Sequence, residues 1–201
     1  MSTTEIPESG TRGRTRRAIL GAAASVLARD RGATLADIAE AADVGRSTLH
    51  RYFPDRRELM NAVVEDSLEA MGRSVAAAAI DDGPPLEAMR RLVAALVDVG
   101  DRIMFLWGDP RVLAEHTPHA NPGDPECEGD EPFTDDPVLR LIERGQAEGV
   151  FDPDVRPAWI QHVLWAMIYT GVEDADKGVL PRHGVTATVI RTFENGILAR
   201  R

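Results

Sequence analysis

The amino-acid sequence predicts an all-α protein of about nine helices. Over most of the 201 residues, apolar side chains recur every three or four positions, which is the spacing of one face of a helix. No segment alternates apolar and polar residues for long enough to indicate a strand, and no repeat of 20–50 residues is visible. We therefore expect an N-terminal domain of three short helices and a larger helical domain after it.

The N-terminal part of the chain predicts a polar arm and three short helices. Residues 1–13 show no apolar periodicity, so we expect a disordered arm, followed by a helical domain over residues 14–55. Asp43, Val44 and Gly45 indicate a tight turn before the third helix, with Gly45 supplying a backbone conformation that other residues adopt only at a cost. The predicted helices run from Arg16 to Arg29, from Thr34 to Ala42 and from Arg46 to Phe53.

Residues 56–201 predict longer helices that prolines and glycines interrupt. Asp55 and Glu58 form a capping signal for the first of them, and one apolar periodicity continues from Pro85 to Trp107. Residues 108–132 contain five prolines and a run of acidic residues, which indicates a mobile loop with one short helix near Val112. Three helices follow, at about 136–149 with Asp135 as the cap, 155–175 and 185–200.

The charge of the chain is unevenly distributed. The net charge is −10, yet residues 1–57 carry ten arginines and seven acidic residues, whereas residues 58–201 carry 13 basic and 26 acidic residues. A cationic head on an acidic body suits a partner made of phosphates, because the body is repelled from the duplex while the head is attracted. The lone Cys127, the lack of a signal-peptide pattern and the lack of a 20-residue apolar run favour a cytoplasmic protein with no membrane partner.

The third predicted helix has the features of a helix that reads DNA. It is about two turns long and can enter a major groove about 12 Å wide, while Leu49 and Phe53 face inward. The alternative is a solvated helix face that binds nothing. The candidate DNA contacts on this helix are Arg46, Ser47, Thr48, His50, Arg51 and Tyr52.

The run from Thr34 to Arg56, TLADIAEAADVGRSTLHRYFPDR, resembles the helix-turn-helix of the tetracycline-repressor-like (TetR) family. The resemblance implies a homodimeric, ligand-responsive repressor that binds a palindromic double-stranded DNA operator and has no enzymatic activity. It further implies that Thr34 and Arg56 hold phosphates on either side of the recognition helix. Many relatives have tyrosine at the place of His50 and lysine at that of Arg56.

The last two predicted helices carry more apolar surface than one packing face needs, and we expect part of it to meet a second copy. The resemblance implies a four-helix bundle made by these helices, with Gly171 and Gly196 permitting close approach. The alternative is that this surface packs only within one chain. The predicted interface residues are Trp159, Val163, Met167, Val189, Phe193 and Ile197.

Large rings beside a few polar groups on the central helices predict a pocket for an unknown small-molecule effector, although an ordinary core has the same composition. No cofactor or metal is expected, although His116, His119 and His162 are of a residue type that binds transition metals. Two alternatives are a helical enzyme with residues 108–132 as a lid and a regulator without effector sensing. The predicted pocket residues are Met104, Phe105, Trp107, His162, Trp165 and Tyr169.

Overall fold

The computed structural model describes residues 10–116 and 136–197, and this part of the chain forms ten α-helices and a 3-10 turn at Arg182–Gly184. The predicted all-α class is confirmed. Within the described residues, no helix is long and apolar enough to span a lipid bilayer. The helices are α1 Gly10–Arg29, α2 Leu35–Ala41, α3 Arg46–Tyr52, α4 Arg56–Ala77, α5 Pro85–Asp98, α6 Gly100–Trp107, α7 Pro110–His116, α8 Pro137–Ala147, α9 Pro157–Asp176 and α10 Val185–Ile197.

The chain divides into two compact units, and the boundary lies between Ser67 and Leu68 inside α4. The sequence predicted a boundary at residue 55, and the compact N-terminal unit extends to Ser67. The first half of α4 belongs to the N-terminal unit, where its Leu59 and Val63 are fully buried. The arm predicted for residues 1–13 is also too long, because α1 begins at Gly10; residues 1–9 lie outside the described residues.

The N-terminal unit is held together by one small apolar core to which each of its helices contributes. Five apolar side chains of α1 are buried, and so are Leu49 and Phe53, the inward-facing residues predicted for the third helix. Burial of one such side chain stabilises the fold by about 1.5–3 kcal/mol. The core side chains include Ile19, Leu20, Leu27, Ile38, Leu49, Phe53, Leu59 and Val63.

In the C-terminal unit, the periodicity that predicted one helix from Pro85 to Trp107 belongs to two helices, α5 and α6. The break falls at Val99, and α6 begins at Gly100. A β-carbon at Gly100 would lie 2.7 Å from the methyl groups of Val172 on α9, so only glycine permits this close approach of α6 to α9. This break accounts for ten helices in place of the nine predicted.

The turn that follows α4 is hydrogen-bonded by two arginines from later helices. Arg91 on α5 donates to the carbonyl oxygens of residues 78, 79 and 82, at 2.6–2.8 Å. Arg144 on α8 donates to those of residues 80 and 81. Backbone carbonyls in a turn lack the partners that a helix supplies, so these bonds fix the turn after α4, in which Ala79 has φ 47°.

The helices after the predicted loop begin and end close to the expected positions. Asp136 caps α8, in place of the predicted Asp135, since its Oδ1 accepts from the amides of Val138 and Leu139 at 2.8 and 3.3 Å. The Gln161 side chain on α9 donates to Asp136 Oδ2 at 2.7 Å and joins the two helices. Helix α7 occupies the start of the segment predicted as a loop, and residues 117–132 of that segment lie outside the described residues.

The packing of α8 yields a stability test. A β-carbon at Gly145 would lie 2.1 Å from the ring of Phe151, which is fully buried and has no room to move aside. We expect Gly145→Ala to lower the free energy of unfolding by about 1–3 kcal/mol through overpacking. Gly72→Ala on α4 is the control, since nothing lies within 4 Å of its β-carbon position. It should gain about 0.5–1 kcal/mol. Urea unfolding followed by circular dichroism measures both, and equal effects of the two variants would contradict this packing.

Candidate nucleic-acid interface and small-molecule cavity

Helix α3 presents a polar face to solvent and anchors itself with two apolar side chains. Arg46, Ser47, His50 and Arg51 are exposed, whereas Thr48 and Tyr52 are half-buried. Leu49 is fully buried, and Phe53, which ends the helix, is 3% exposed. The arrangement gives the predicted DNA-contacting residues a common exposed side, which is the geometry that a helix entering the major groove requires.

The turn before α3 differs from the prediction in one respect. Asp43, rather than Gly45, has the left-handed backbone, with φ 52°. Gly45 is extended, with φ −67° and ψ 147°, and stands as the residue before the first turn of α3. Aspartate tolerates the left-handed region better than most residues, because its short polar side chain can bond to the nearby backbone. The sequence pattern identified the turn but assigned its strained position to the wrong residue.

Tyr52 ties the end of α3 to the first turns of α1. Its hydroxyl donates to the carbonyl oxygen of Arg12 at 3.4 Å, and the guanidinium carbons of Arg12 and Arg51 lie 6.0 and 5.7 Å from the centre of its ring. These distances suit cation–π attraction. Arg12 thus stands in a helix beside the predicted DNA-binding residues instead of in a disordered arm, because α1 starts earlier than its apolar pattern does.

Thr34 closes the first turn of α2 with a reciprocal pair of bonds to Asp37, three residues further along the chain. The hydroxyl of Thr34 donates to Asp37 Oδ2 at 2.8 Å and accepts from the amide of Asp37 at 3.3 Å, and the amide of Thr34 donates to Oδ2 at 2.7 Å. The backbone bond and then the side-chain bond from Thr34 hold the pKa of Asp37 below its usual value. The Thr34 hydroxyl proton is therefore engaged within the protein.

Arg56, the second residue that the resemblance places against a phosphate, is also engaged within the chain. Its guanidinium donates to the carbonyl oxygens of Ala33 and Arg31, the latter at 2.7 Å. Both carbonyls belong to the turn between α1 and α2. The first residue of α4 is thereby bonded to the segment that leads into Thr34.

A cavity of about 420 Å³ lies between α6 and α9 in the C-terminal unit. Trp107 and Trp165 stack beside it, with ring centres 5.7 Å apart and planes inclined by 13°. Four predicted pocket residues line it together, while Met104 and Phe105 are buried in the core, which corrects their assignment. The lining consists of Ile103, Trp107, His162, Trp165, Ala166, Tyr169 and Thr170.

A second cavity of about 650 Å³ runs along the second half of α4. Trp165 lines this cavity too, so one indole forms a wall of both. This cavity was not predicted from the sequence, because most of its walls are ordinary apolar residues of α4 and the first turn of α8. Its lining is Leu68, Met71, Gly72, Val75, Ala76, Ala79, Ile80, Asp81, Asp136, Pro137, Val138, Arg140 and Trp165.

The residues predicted to face a second copy separate into two groups. Trp159 is 62% exposed, and Val163 and Met167 on the same helix are half-buried. Val189, Phe193 and Ile197 are only 1–4% exposed, because α10 turns its apolar stripe into the core of its own chain. These last three residues were assigned wrongly, since little of their surface is left for a partner.

The two glycines expected at a helix contact also differ. A β-carbon at Gly171 would lie 2.9 Å from Val189, so this glycine permits the packing of α9 on α10 within one chain. Nothing lies within 4 Å of the corresponding position at Gly196, which is exposed on the outer face of α10.

Within residues 10–116 and 136–197, no three His, Cys, Asp or Glu side chains are grouped as metal ligands. His119 and the side chain of His116 lie outside the described part.

Comparison with known proteins identifies the family. Residues 19–63 match the profile described as bacterial regulatory proteins of the tetR family. The chain is 36% identical over 191 residues to the HTH-type transcriptional repressor LfrR of Mycolicibacterium smegmatis, an alignment that covers 95% of this chain and 94% of LfrR. This chain belongs to the TetR family.

Solved structures agree with this assignment to the TetR family. The crystal structure of LfrR from Mycobacterium smegmatis has a TM-score of 0.70 at 33% identity, with 95% of this chain and 100% of that chain covered. The structure of LfrR in complex with proflavine has a TM-score of 0.66 at the same identity and coverage. The predicted family, fold and function class are confirmed: the protein is a DNA-binding transcriptional regulator, and its family is one of regulators rather than of enzymes.

The turn before α3 supplies a test of the corrected backbone assignment. Asp43→Val should lower the free energy of unfolding by about 1–2 kcal/mol, because a β-branched residue is strained in the left-handed region. Gly45→Ser, the matched variant, should be neutral or gain a few tenths of a kcal/mol, since the extended backbone suits serine and its hydroxyl can cap α3. Thermal unfolding ranks the pair. A loss at Gly45→Ser larger than that at Asp43→Val would restore the original assignment.

Proposed function

We propose that this TetR-family regulator is a homodimeric repressor which binds a palindromic operator through α3 of each copy and leaves it when a flat aromatic molecule occupies the cavities at Trp165. The observation that carries the DNA-binding part is the exposed polar side of α3 above its buried anchors, Leu49 and Phe53. The similarity to LfrR, which is named a repressor, supports repression as the direction of control.

On the operator, some exposed side chains of α3 contact bases and others contact phosphates. Arg46 and Arg51 carry the geometry that pairs with guanine O6 and N7, and Thr48 suits contact with a thymine methyl group. Lysine and arginine side chains near the duplex release counterions from it, so binding should weaken as salt rises. The first turns of α1 add exposed cationic side chains, Arg12, Arg14 and Arg17, of which Arg12 lies beside Tyr52 at the end of α3.

Dimerisation is proposed through the exposed face of α9 and the outer face of α10. Trp159, Val163 and Ala166 lie along one side of α9, and the exposed Gly196 on α10 offers no side chain to obstruct a partner. Two copies are required because recognition helices must reach successive major grooves about 34–36 Å apart. An aromatic side chain that is largely exposed in one chain, as Trp159 is, is typical of a residue buried between chains.

Effector binding is proposed at the cavities that Trp165 separates. The proflavine complex of LfrR supports a flat aromatic ligand, because the stacked indoles of Trp107 and Trp165 offer planar faces for ring stacking. His162 and Tyr169 add polar groups to orient such a ligand. The two cavities favour effector binding over a regulator with a filled core. Release from DNA requires the ligand to prefer the conformation that binds the operator less well.

The role of α3 can be tested on an operator recovered by selection from random DNA. Arg46→Ala should lower the affinity for that operator by about 10-fold to 100-fold and relax the preference at one base position, since one bidentate contact is lost. Arg111→Ala, which removes an exposed arginine from α7, is the control and should bind as the wild type does. Fluorescence anisotropy gives the affinities, and sedimentation should show a mass of two copies for all three proteins. Unchanged binding by Arg46→Ala would refute the assignment of α3.

The effector site can be tested with proflavine as the probe. Trp165→Ala should weaken proflavine binding by about tenfold or more, because the ligand loses contact with the indole that lines both cavities. Val179→Ala is the control, since Val179 is 67% exposed and lines neither of these two cavities. Isothermal titration measures both variants. Equal affinities for the wild type and Trp165→Ala would place the effector elsewhere.

A further inference from the structure

We infer that Arg56 is a positioning residue for the recognition helix: it orders the turn that leads into α2, instead of serving chiefly as a phosphate contact. The inference rests on the proposed operator binding through α3. The observation behind it is the pair of bonds from one guanidinium to two backbone carbonyls of the same turn, those of Arg31 and Ala33.

The turn between α1 and α2 is bonded from within as well as from Arg56. The Asp30 carboxylate accepts from the amide of Gly32 at 2.8 Å, and the Asp30 carbonyl accepts from the amide of Ala33 at 3.1 Å. These bonds satisfy amides of the turn. Arg56 adds bonds to the carbonyls of Arg31 and Ala33, which it reaches from the first turn of α4.

The two bonds from Arg56 depend on the forked shape of its guanidinium group. Its two terminal nitrogens are fixed in one plane, and one donates to each carbonyl, so both carbonyls are held by one rigid group. A lysine ammonium is a single charged centre on a flexible chain, and holding both carbonyls at once costs it more conformational freedom. The charge of the residue and its ability to order the turn can therefore be separated by one substitution, Arg56→Lys.

A continuous set of bonds leads from this turn to α3. Ala33 precedes Thr34, whose reciprocal bonds to Asp37 start α2. At the other end of α2, the amide of Val44 donates to the carbonyl of Ala39 at 3.0 Å and closes the turn before α3. The placement of α2 thus depends on where its first residue is held, and the placement of α3 depends on α2.

The test compares Arg56→Lys with Arg57→Lys, both of which keep the positive charge. Arg57 is exposed and its side chain makes no hydrogen bond to the described part of the chain, so it is the matched control. Operator affinity is measured over a range of salt concentrations, and amide hydrogen exchange is measured on the free full-length proteins. We expect Arg56→Lys to lose affinity by about tenfold with an unchanged slope of log K against log salt, because the number of phosphate contacts is the same.

In the exchange experiment, amides of residues 31–37 should exchange faster in Arg56→Lys than in the wild type, while those of α8 keep their rates. Arg57→Lys should match the wild type in both experiments. Wild-type affinity of Arg56→Lys would overturn the inference, and so would lost affinity without faster exchange, since a guanidinium contact to phosphate then explains the loss. If the wild type selects no DNA at all, the proposed function fails, and the exchange rates still decide whether Arg56 orders the turn.

Discussion

The structure depends on the fact that a helix of seven residues is not stable by itself in water. Helices shorter than about 12–15 residues need packing against a core, and α3 has only seven. Leu49 and Phe53 supply that packing, and each buried side chain of this kind contributes about 1.5–3 kcal/mol. Because these anchors occupy one side, the remaining residues are free to be polar. The helix is thus too short to be stable in isolation, but its packing leaves a polar side that can read DNA.

Features set by neighbouring residues were predictable from the sequence, and features set by distant residues were not. The reciprocal bonds of Thr34 and Asp37 and the cap at Asp55, which accepts from the amide of Glu58 at 2.8 Å, follow from local spacing. The break between α5 and α6 depends on Val172, which is far along the chain. The apolar periodicity by itself therefore predicted one continuous helix. Periodicity likewise identified the apolar stripe on α10, but it did not show that the core of the same chain covers this stripe.

The residues that line the cavities were also only partly predictable from the sequence. Trp107, His162, Trp165 and Tyr169 line one cavity, as their chemistry suggested, because α6 and α9 pack side by side. Phe105 has similar chemistry, but it lies on the opposite side of α6 and fills the core. The composition of a segment cannot tell these two sides apart. The contacts between helices decide which rings remain beside a cavity, and Trp165 remains beside two.

Selection of bound fragments from random DNA, followed by sequencing, tests the central claim that paired copies of α3 read the operator. Two recognition helices related by twofold symmetry should enrich an inverted repeat whose half-sites are centred about one helical turn apart or a multiple of it. Enrichment of a single half-site without a symmetric partner, or of no sequence at all, would contradict the account.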